Sequence, residues 1–186
     1  MTKNNLLEKA KEYAFNKHDL PSESQRYGNA PYSKHINDVL NKATEYIYYI
    51  NENDKEDVLS ACALHDTIED TDTSPAKLST TFNNRIADLV LRVSNERGWS
   101  RKEKNFKTYP KIWQSDLAIF IKLCDRISNT FNSKNSDDEK GKRMYKLYVE
   151  EYPIFRYALK IKNLYSNMWN ELDELNNFKN CSCFNK

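Results

Sequence analysis

The sequence predicts an all-α protein built as a single-domain helical bundle. Only three glycines and five prolines interrupt its 186 residues, and helix-forming Lys, Glu and Leu are abundant. Apolar residues recur at helical spacing in successive segments. The length fits one domain with a substantial core, so we expect residues 1–186 to fold together.

The first half of the chain predicts three helices and one loop. Residues 4–17 have the apolar spacing of an amphipathic helix. Gly, Asn and Pro in residues 25–32 predict a loop, after which a second helix begins near His35. Residues 55–68 predict a third helix that is apolar on nearly every side, as expected of a central element.

A capping signal and a second apolar helix mark the middle of the chain. Ser and Pro within residues 73–75 predict the cap and first turn of a short helix, followed by a helical pattern over 82–93. A basic stretch occupies residues 101–112. Residues 116–131 are again apolar nearly all round, so we expect them to form the second central helix.

Two amphipathic helices are predicted to complete the chain. Residues 132–141 are polar enough to form a loop, and helices are expected over about 142–150 and 153–178. No internal repeat or second domain is visible. Within the single domain, the residues that form the candidate motifs fall in a core of about 5–133, and residues 142–178 supply the C-terminal helices.

Composition excludes several classes of protein. The net charge of +2 gives no reason to expect general nucleic-acid or membrane binding. The sequence shows neither a signal peptide nor a long apolar run, so we expect a cytoplasmic protein. Cys62 and Cys124 lie in apolar runs that predict buried thiols. Cys181 and Cys183 lack the second ligand pair of a usual zinc site and are expected at a frayed terminus.

The two most apolar helices contain His65, Asp66 and Asp125, which is an unusual place for carboxylates. A buried carboxylate must be neutralised, paired or bound to a cation. Imidazole and carboxylate ligands suit Mn²⁺, Fe²⁺ or Zn²⁺. Glu69 and Asp70 follow His65 and Asp66 at a spacing of four, which clusters all four if the helix persists. Taken alone, the His-Asp pair favours the other interpretation, a helix cap beside a cluster of surface acids, because short motifs often occur by chance.

Three segments, PYSKH, HDTIED and KLCDRISN, occur in an order and spacing that resemble the Rel/SpoT-type alarmone hydrolases of the HD superfamily. The resemblance covers roughly residues 5–133 and includes the small metazoan forms. It implies an all-helical HD domain that hydrolyses the 3′-pyrophosphate of (p)ppGpp. The implied cofactor is Mn²⁺, with Fe²⁺, Zn²⁺, Co²⁺ and Mg²⁺ as alternatives.

The resemblance also implies roles for individual residues. The residues that match the metal ligands of the family are His35, His65, Asp66 and Asp125. Glu69 and Asp70 match its paired catalytic acids, which orient or deprotonate water and handle the leaving-group proton.

Four further positions bear on the substrate. Asn129 resembles the family asparagine near the substrate, although Asn also serves as a local cap. Arg26 matches a family arginine that stacks on guanine. Tyr27 replaces a family lysine, and Asn132 replaces a threonine near the ribose in long members. These two departures concern the contacts to the base, the phosphates and the ribose, and not the metal ligands.

A basic cluster near the start of the 101–112 stretch could meet a pyrophosphate. It comprises Arg101, Lys102, Lys104 and Lys107. A solvated helix face is the alternative interpretation. Lys122 precedes Asp125 by three residues and could approach the metal cavity. Tyr32 is expected to pack beneath His35 or to donate its hydroxyl to a phosphate, with packing favoured.

We therefore expect a form of these enzymes that has the hydrolase domain without a synthetase domain. It should act on a nucleotide substrate, with (p)ppGpp as the first candidate. One alternative is an HD nucleotidase or phosphatase acting on a deoxynucleoside monophosphate, NADPH or another signalling nucleotide. Another is a non-catalytic nucleotide-binding regulator, although the presence of both Glu69 and Asp70 argues against it. We expect no stable nucleic-acid partner and no membrane, and a homo-oligomer is compatible with the sequence.

Overall fold

Helices dominate the computed structural model, which describes residues 6–19, 26–28, 30–160 and 164–179. The helices of this part of the chain are α1 (Leu6–His18), α2 (Ser33–Glu45), α3 (Lys55–Leu64), α4 (Thr67–Asp70), α5 (Pro75–Thr81), α6 (Asn84–Val93), α7 (Arg101–Trp113), α8 (Asp116–Lys134), α9 (Glu139–Leu159) and α10 (Ser166–Leu175). Strands β1 (Arg26–Tyr27) and β2 (Ala30–Pro31) form a hairpin, and 3₁₀ turns occupy Ile47–Tyr49 and Glu52–Asp54. The all-α prediction is confirmed.

Helices α3 and α8 form the centre of the bundle. Helix α3 packs against α1, α2, α6 and α8, and α8 also contacts α7, α9 and α10. Apolar residues cover most of both helices, as the sequence predicted, and Leu64, Phe120 and Leu123 have no exposed surface. Burial of such side chains contributes about 1.5–3 kcal/mol each. The predicted ligands His65 and Asp66 directly follow α3, and Asp125 lies within α8, so the two central helices position three of the four predicted metal ligands.

The third helix ends earlier than the sequence suggested. The prediction of one helix over 55–68 was wrong, because α3 stops at Leu64 and the short α4 begins at Thr67. His65 Nδ1 lies 2.8 Å from the Cys62 carbonyl, and the Thr67 hydroxyl donates to the Leu64 carbonyl at 2.7 Å. These side-chain donors satisfy carbonyls that a continuous helix would use, and so favour a turn.

The loop predicted before the second helix contains a small hairpin. Arg26 pairs with Pro31 and Tyr27 with Ala30 in antiparallel register. Gly28 has φ of +60° at the turn, a conformation that glycine adopts without the steric penalty of a side chain. Residues 25 and 29 of the predicted loop lie outside the described residues.

The C-terminal break lies in a different place from the predicted one. We expected separate helices over 142–150 and 153–178, but α9 runs through Pro153 to Leu159. An internal proline costs about 3 kcal/mol. Burial of Tyr152 and Phe155 on either side of it offsets that cost. The loop predicted over 132–141 is also shorter, because α8 and α9 extend into it from both ends.

Sequence signals at the remaining elements are recovered in part. The Ser74 side chain accepts a bond from the Lys77 amide, and Pro75 begins α5, as predicted. Cys62 and Cys124 are buried free thiols, as predicted. Cys181 and Cys183 lie outside the described residues. Among the helices described, none combines the length and apolar character needed to cross a membrane. The domain boundaries drawn from sequence stay a prediction.

Candidate metal centre and active site

His65 occupies the turn between α3 and α4, where its ring has a fixed orientation. Its Nδ1 proton is donated to the Cys62 carbonyl, 2.8 Å away. That bond leaves the lone pair of Nε2 pointing away from the backbone, the tautomer suited to metal binding. The residue is 2% exposed. The turn between α3 and α4 therefore presents one imidazole nitrogen of His65 to the bundle interior.

Three other predicted ligands meet His65 at this point. Its Nε2 lies 3.2 Å from His35 Nε2, 2.9 Å from Asp66 Oδ2 and 3.7 Å from Asp125 Oδ1. His35 comes from α2 and lies 3.6 Å from Asp66 and 3.5 Å from Asp125. Suitable ligand atoms of His35, His65 and Asp66 all fall within 4.8 Å of one another. The fold thus brings together four residues from three separate segments of the sequence.

The donor set fits a divalent cation. Two imidazole nitrogens and two carboxylate oxygens converge with both histidines almost fully buried. Although burial opposes its charge, Asp66 and Asp125 raise the pKa of His65 to about 9. The same negative charges favour either a proton or a cation beside the histidine nitrogens. Nitrogen and oxygen ligands without thiolate suit Mn²⁺, Fe²⁺ or Zn²⁺.

Asp125 is held by two polar neighbours on α8. Lys122 Nζ lies 2.8 Å from its Oδ2, and the Asn129 amide donates to its Oδ1. Burial raises the pKa of Asp125, but Lys122 and His65 outweigh this and hold it below its usual value. Lys122 itself keeps its charge, because Asp125 and Asp66 raise its pKa against the effect of burial. The carboxylate therefore stays ionised and oriented.

Two tyrosines from the segment before α2 brace the cluster. The Tyr32 hydroxyl donates to Asp66 and lies 3.5 Å from Asp70, while its ring contacts the edge of His35. Tyr27 stacks on His35 with ring centroids 4.7 Å apart and donates to Asn129 at 2.9 Å. Packing of Tyr32 against His35 agrees with the expectation from sequence. Its hydroxyl, however, binds a predicted metal ligand.

Glu69 is anchored by a residue that sequence reasoning did not identify. The Asn95 backbone amide lies 3.0 Å from one carboxylate oxygen of Glu69, and the Asn95 side-chain amide lies 2.8 Å from the other. Glu69 lies in the short helix α4, which begins after the turn at His65 and Asp66. The segment after α6 fixes the direction of its carboxylate. No local sequence signal links two residues 26 positions apart.

Asp70 has the titration behaviour of a proton carrier near neutral pH. Burial raises its pKa, and the charges of Asp66 and Glu69 raise it further, to about 7. Tyr32 and His65 oppose the shift only partly. A carboxyl group of this kind can exist in either protonation state at neutral pH, as acid–base catalysis requires.

A cavity of about 490 Å³ opens beside the cluster. It is lined by Tyr32, His35, Asp66, Glu69, Asp70, Asn95, Gly98, Trp99, Ser100, Arg101, Lys104, Asn105, Lys122, Asp125, Arg126, Asn129 and Tyr148. Three of the four predicted metal ligands, both predicted acids and several predicted substrate contacts therefore line one cavity, whereas His65 does not reach its surface. Its volume is within the range of small-molecule sites.

The predicted basic cluster divides between this cavity and solvent. Arg101 and Lys104 line the cavity. Lys107 does not; its ammonium lies 2.5 Å from Glu103 and 3.2 Å from the Arg97 carbonyl. Lys107 lies about one turn further along α7 than Lys104, and these two contacts hold its ammonium, so the structure does not bring it to the cavity.

Arg26 and Asn132 lie beside the site, not in its wall. Both line a neighbouring cavity of about 420 Å³, which shares Asn129 and Tyr148 with the first. The Asn132 amide donates to Asp38 at 2.9 Å. The predicted base-stacking arginine therefore lines a cavity that adjoins the one beside the predicted metal ligands, and Asn129 and Tyr148 border both cavities.

A second unpredicted group supports the far wall of the cavity. Arg126 directly follows Asp125, is 5% exposed and lies 4.9 Å from the Tyr148 ring. Glu151 on α9 binds Arg126 at 3.2 Å and Arg101 at 2.6 Å. A charged residue inside an apolar helix was the available sequence signal for Arg126. Its partners on α9 could not be read from the sequence.

Curated relatives with a stated activity match the chain in sequence, whereas no family model matches it. The guanosine-3′,5′-bis(diphosphate) 3′-pyrophosphohydrolase of Aquifex aeolicus is 30% identical over 157 residues, 82% of this chain and 21% of that protein. The Drosophila melanogaster enzyme of the same name, MESH1, is 30% identical over 119 residues, 63% of this chain and 64% of that protein. The chain spans only about a fifth of the long bacterial relatives such as the Aquifex protein.

A solved structure matches the fold along nearly the whole chain. This protein, a metazoan ortholog of SpoT that hydrolyses ppGpp and plays a role in starvation responses, superposes with a TM-score of 0.73. Sequence identity is 22%, with 94% of this chain and 96% of that chain covered. Together with the curated relatives, the match confirms the resemblance that the three sequence segments predicted.

Proposed function

We propose that this chain, a relative of the guanosine-3′,5′-bis(diphosphate) 3′-pyrophosphohydrolases in sequence and of a metazoan SpoT ortholog in fold, is a metal-dependent (p)ppGpp 3′-pyrophosphohydrolase. The observation that supports this most is the convergence of two histidines and two aspartates beside two further carboxylates in one cavity. Such a set can hold a cation and handle protons at the same place.

The ligands of the cation are His35, His65, Asp66 and Asp125, and Mn²⁺ is the ion we assign. When bound, the ion supplies Lewis acidity that lowers the pKa of water and neutralises phosphate charge. Tyr32 and Lys122 hold one aspartate each in the orientation that ligation needs. These outer contacts matter because loss of such partners commonly weakens metal binding about 10–100-fold.

The reaction consumes one water. A water oxygen forms a bond to the phosphorus attached to the ribose 3′ oxygen, and the bond between that phosphorus and the 3′ oxygen breaks. The 3′ oxygen takes a proton and becomes a hydroxyl, and the water loses a proton. The products are GDP or GTP and inorganic pyrophosphate.

Glu69 and Asp70 share the proton handling. Asn95 holds both oxygens of Glu69, so this carboxylate has a fixed direction from which it orients the water. Asp70, with its pKa raised to about 7 by burial and by its acidic neighbours, accepts a proton at one stage and returns it at another. Tyr32, 3.5 Å from Asp70 Oδ2, keeps that carboxyl beside the cluster.

Basic side chains on the cavity wall receive the phosphates. Lys122, Arg101 and Lys104 all line the cavity, and phosphate oxygens favour such donors. Glu151 binds Arg101 in a bidentate pair at 2.6 and 3.2 Å, which fixes the guanidinium at the rim. Asn129 joins the metal ligand Asp125 to the wall of the cavity, where it can also meet the ribose.

A second candidate is an HD phosphatase acting on another nucleotide, and Tyr27 is the observation in its favour. The Tyr27 hydroxyl donates to Asn129. Because tyrosine is not a cation, this side chain adds no positive charge where the Rel/SpoT-type enzymes have lysine. Less positive charge beside the site favours a substrate with fewer phosphates near the ribose.

The cytoplasmic location and the formation of a homo-oligomer stay predictions from the sequence.

A product assay tests the proposed reaction. The purified chain with Mn²⁺ is given ppGpp, NADPH and deoxynucleoside monophosphates side by side, and pyrophosphate, phosphate and nucleotide products are measured. We expect GDP and pyrophosphate from ppGpp in equal amounts. Asp66→Asn should abolish this, whereas the matched control Asp72→Asn should not, because Asp72 is exposed and pairs with Lys17. Phosphate release from a monophosphate without pyrophosphate release from ppGpp would refute the proposal.

A further inference from the structure

The ring of His35 lacks the hydrogen bond that orients its partner His65. Its Nε2 points into the group of candidate ligands, 3.2 Å from His65 Nε2 and 3.5 Å from Asp125 Oδ1. Its Nδ1 is buried and has no hydrogen-bond partner among the residues that the structure describes. In His65, by contrast, Nδ1 lies 2.8 Å from the Cys62 carbonyl. Since the second nitrogen of a metal-binding histidine is almost always fixed by such a bond, another contact must orient His35.

The ring of Tyr27 covers one face of His35. The two ring centroids are 4.7 Å apart, and the ring planes differ by 23°. Tyr32 contacts the same imidazole in an edge-to-face arrangement, with centroids 5.3 Å apart and planes 69° apart. Rotation of the imidazole would disrupt both of these favoured aromatic geometries. Packing against tyrosine therefore does for His35 what the bond to the Cys62 carbonyl does for His65.

The hydroxyl of Tyr27 reaches a second candidate ligand through one amide. It donates to Asn129 Oδ1 at 2.9 Å, and the Asn129 amide nitrogen donates to Asp125 Oδ1. Because an ionised carboxylate only accepts hydrogen bonds, the Asn129 nitrogen faces Asp125 and its carbonyl faces Tyr27. The hydroxyl of Tyr27 thus fixes the direction in which Asn129 holds Asp125.

Tyr27 is itself held by the hairpin and by a lysine. It pairs with Ala30 across the turn at Gly28. The Lys34 ammonium lies 5.8 Å from the centroid of the Tyr27 ring, within the range of a cation–π contact. That ammonium is also paired with Asp38 at 2.6 Å. Tyr27 therefore has a defined position from which it contacts two parts of the ligand group.

We propose that Tyr27 is a positioning residue for the candidate metal ligands. Its ring orients His35, and its hydroxyl orients Asp125 by way of the amide between them. This inference rests on the proposed metal site and assigns a role in it to a residue that stands where the Rel/SpoT-type enzymes have lysine. A lysine has no ring to stack on imidazole, so the resemblance does not imply this role.

Binding of Mn²⁺ to the full chain, measured by calorimetry, tests the assignment. Tyr27→Phe keeps the ring and removes the hydroxyl, whereas Tyr27→Leu removes both. Tyr145→Phe is the matched control, because it removes a tyrosine hydroxyl that donates to the Leu175 carbonyl and does not line either cavity beside the site. Circular dichroism shows whether each variant folds. If Tyr27→Leu does not, Tyr27→Met takes its place as the variant without a ring.

We expect Tyr27→Leu to weaken Mn²⁺ binding about 10–100-fold, the usual effect of losing a group that orients a metal ligand. Tyr27→Phe should recover most of this loss, because the stack on His35 remains. Tyr145→Phe should bind Mn²⁺ as the parent does. Turnover of ppGpp by Tyr27→Leu should return towards the parent value at saturating Mn²⁺, since all four ligands are still present.

A double-mutant cycle tests the hydroxyl separately. Asn129→Ala removes the amide that joins Tyr27 to Asp125. Changes at residues in one hydrogen-bond network are not additive, so the remaining loss of Mn²⁺ affinity in Tyr27→Phe should disappear in the Asn129→Ala background. The same loss in both backgrounds would overturn the role of the hydroxyl.

Two results would overturn the role of the ring. One is Mn²⁺ affinity in Tyr27→Leu equal to that of the parent. The other is a loss of turnover that saturating Mn²⁺ does not restore, together with a lower Tm in EDTA, which would make Tyr27 structural. Mn²⁺ binding and ppGpp turnover by the parent with no effect of Tyr27→Leu overturn this inference alone. A parent that neither binds Mn²⁺ nor hydrolyses ppGpp overturns the proposed function as well.

Discussion

Asp70→Asn should stabilise the metal-free protein while it removes activity. Burial and the charges of Asp66 and Glu69 raise the pKa of Asp70 to about 7, against about 3.9 in an unfolded chain. The difference of about three pKa units, at 1.36 kcal/mol each, sets an upper bound of about 4 kcal/mol. Because Asp70 is exposed to solvent, screening reduces the expected gain to about 1–2 kcal/mol.

The sign of the effect follows from proton binding. Between about pH 4 and pH 7, the folded protein keeps a proton on Asp70 that the unfolded chain has lost. The free energy of unfolding therefore falls as the pH rises through this window. An asparagine at position 70 has no charge to lose, so the stability gain should be largest above about pH 7 and should disappear near pH 4.

Thermal unfolding followed by circular dichroism, in the presence of EDTA, measures this gain. For a chain of this size, about 1–2 kcal/mol corresponds to a rise in Tm of about 2–8 °C at pH 8. Asp72→Asn is the matched control and should not raise Tm, because the pKa of Asp72 is lowered by Lys17. A lower Tm for Asp70→Asn at pH 8, or the same gain at pH 4 and pH 8, would refute the reasoning.

Three further substitutions test separate parts of the site. His65→Ala should abolish tight binding of Mn²⁺ in a metal titration, and parent-like affinity would show that the coordination sphere is wrong. Glu69→Gln should keep the metal and lower kcat about 10²–10⁴-fold in the ppGpp assay; an unchanged kcat would exclude a catalytic role. Lys104→Ala should raise KM for ppGpp several-fold and reduce its dependence on salt, whereas Lys107→Ala should change neither, because only Lys104 lines the cavity; equal effects would contradict this geometry.

The fold and the group of candidate metal ligands were the most predictable features. Apolar periodicity located the two central helices, and the polar residues within them identified His65, Asp66 and Asp125 as exceptional. A carboxylate in an apolar helix needs a partner or a cation, wherever the rest of the chain folds. Position-by-position resemblance added His35, which the structure places 3.2 Å from His65.

Structural features that depend on side-chain hydrogen bonds to nearby carbonyls, or on contacts between residues far apart in sequence, could not be predicted. The turn after Leu64 depends on hydrogen bonds from His65 and Thr67 to carbonyls of the preceding turn, and helical periodicity contains no record of them. A helix boundary was predicted between residues 150 and 153, but burial on both sides of Pro153 kept α9 continuous. The position of Glu69 depends on Asn95, a contact that only the packing of α6 creates.

Hydrolysis of ppGpp in water enriched with ¹⁸O tests the central claim most directly. If water attacks the phosphorus attached to the ribose 3′ oxygen, the label must appear in the pyrophosphate released. Mass spectrometry should therefore find ¹⁸O in pyrophosphate and none in GDP, in a reaction that requires the metal and is lost in Asp66→Asn. Label in the nucleotide, or release of phosphate in place of pyrophosphate, would contradict the proposed 3′-pyrophosphohydrolase.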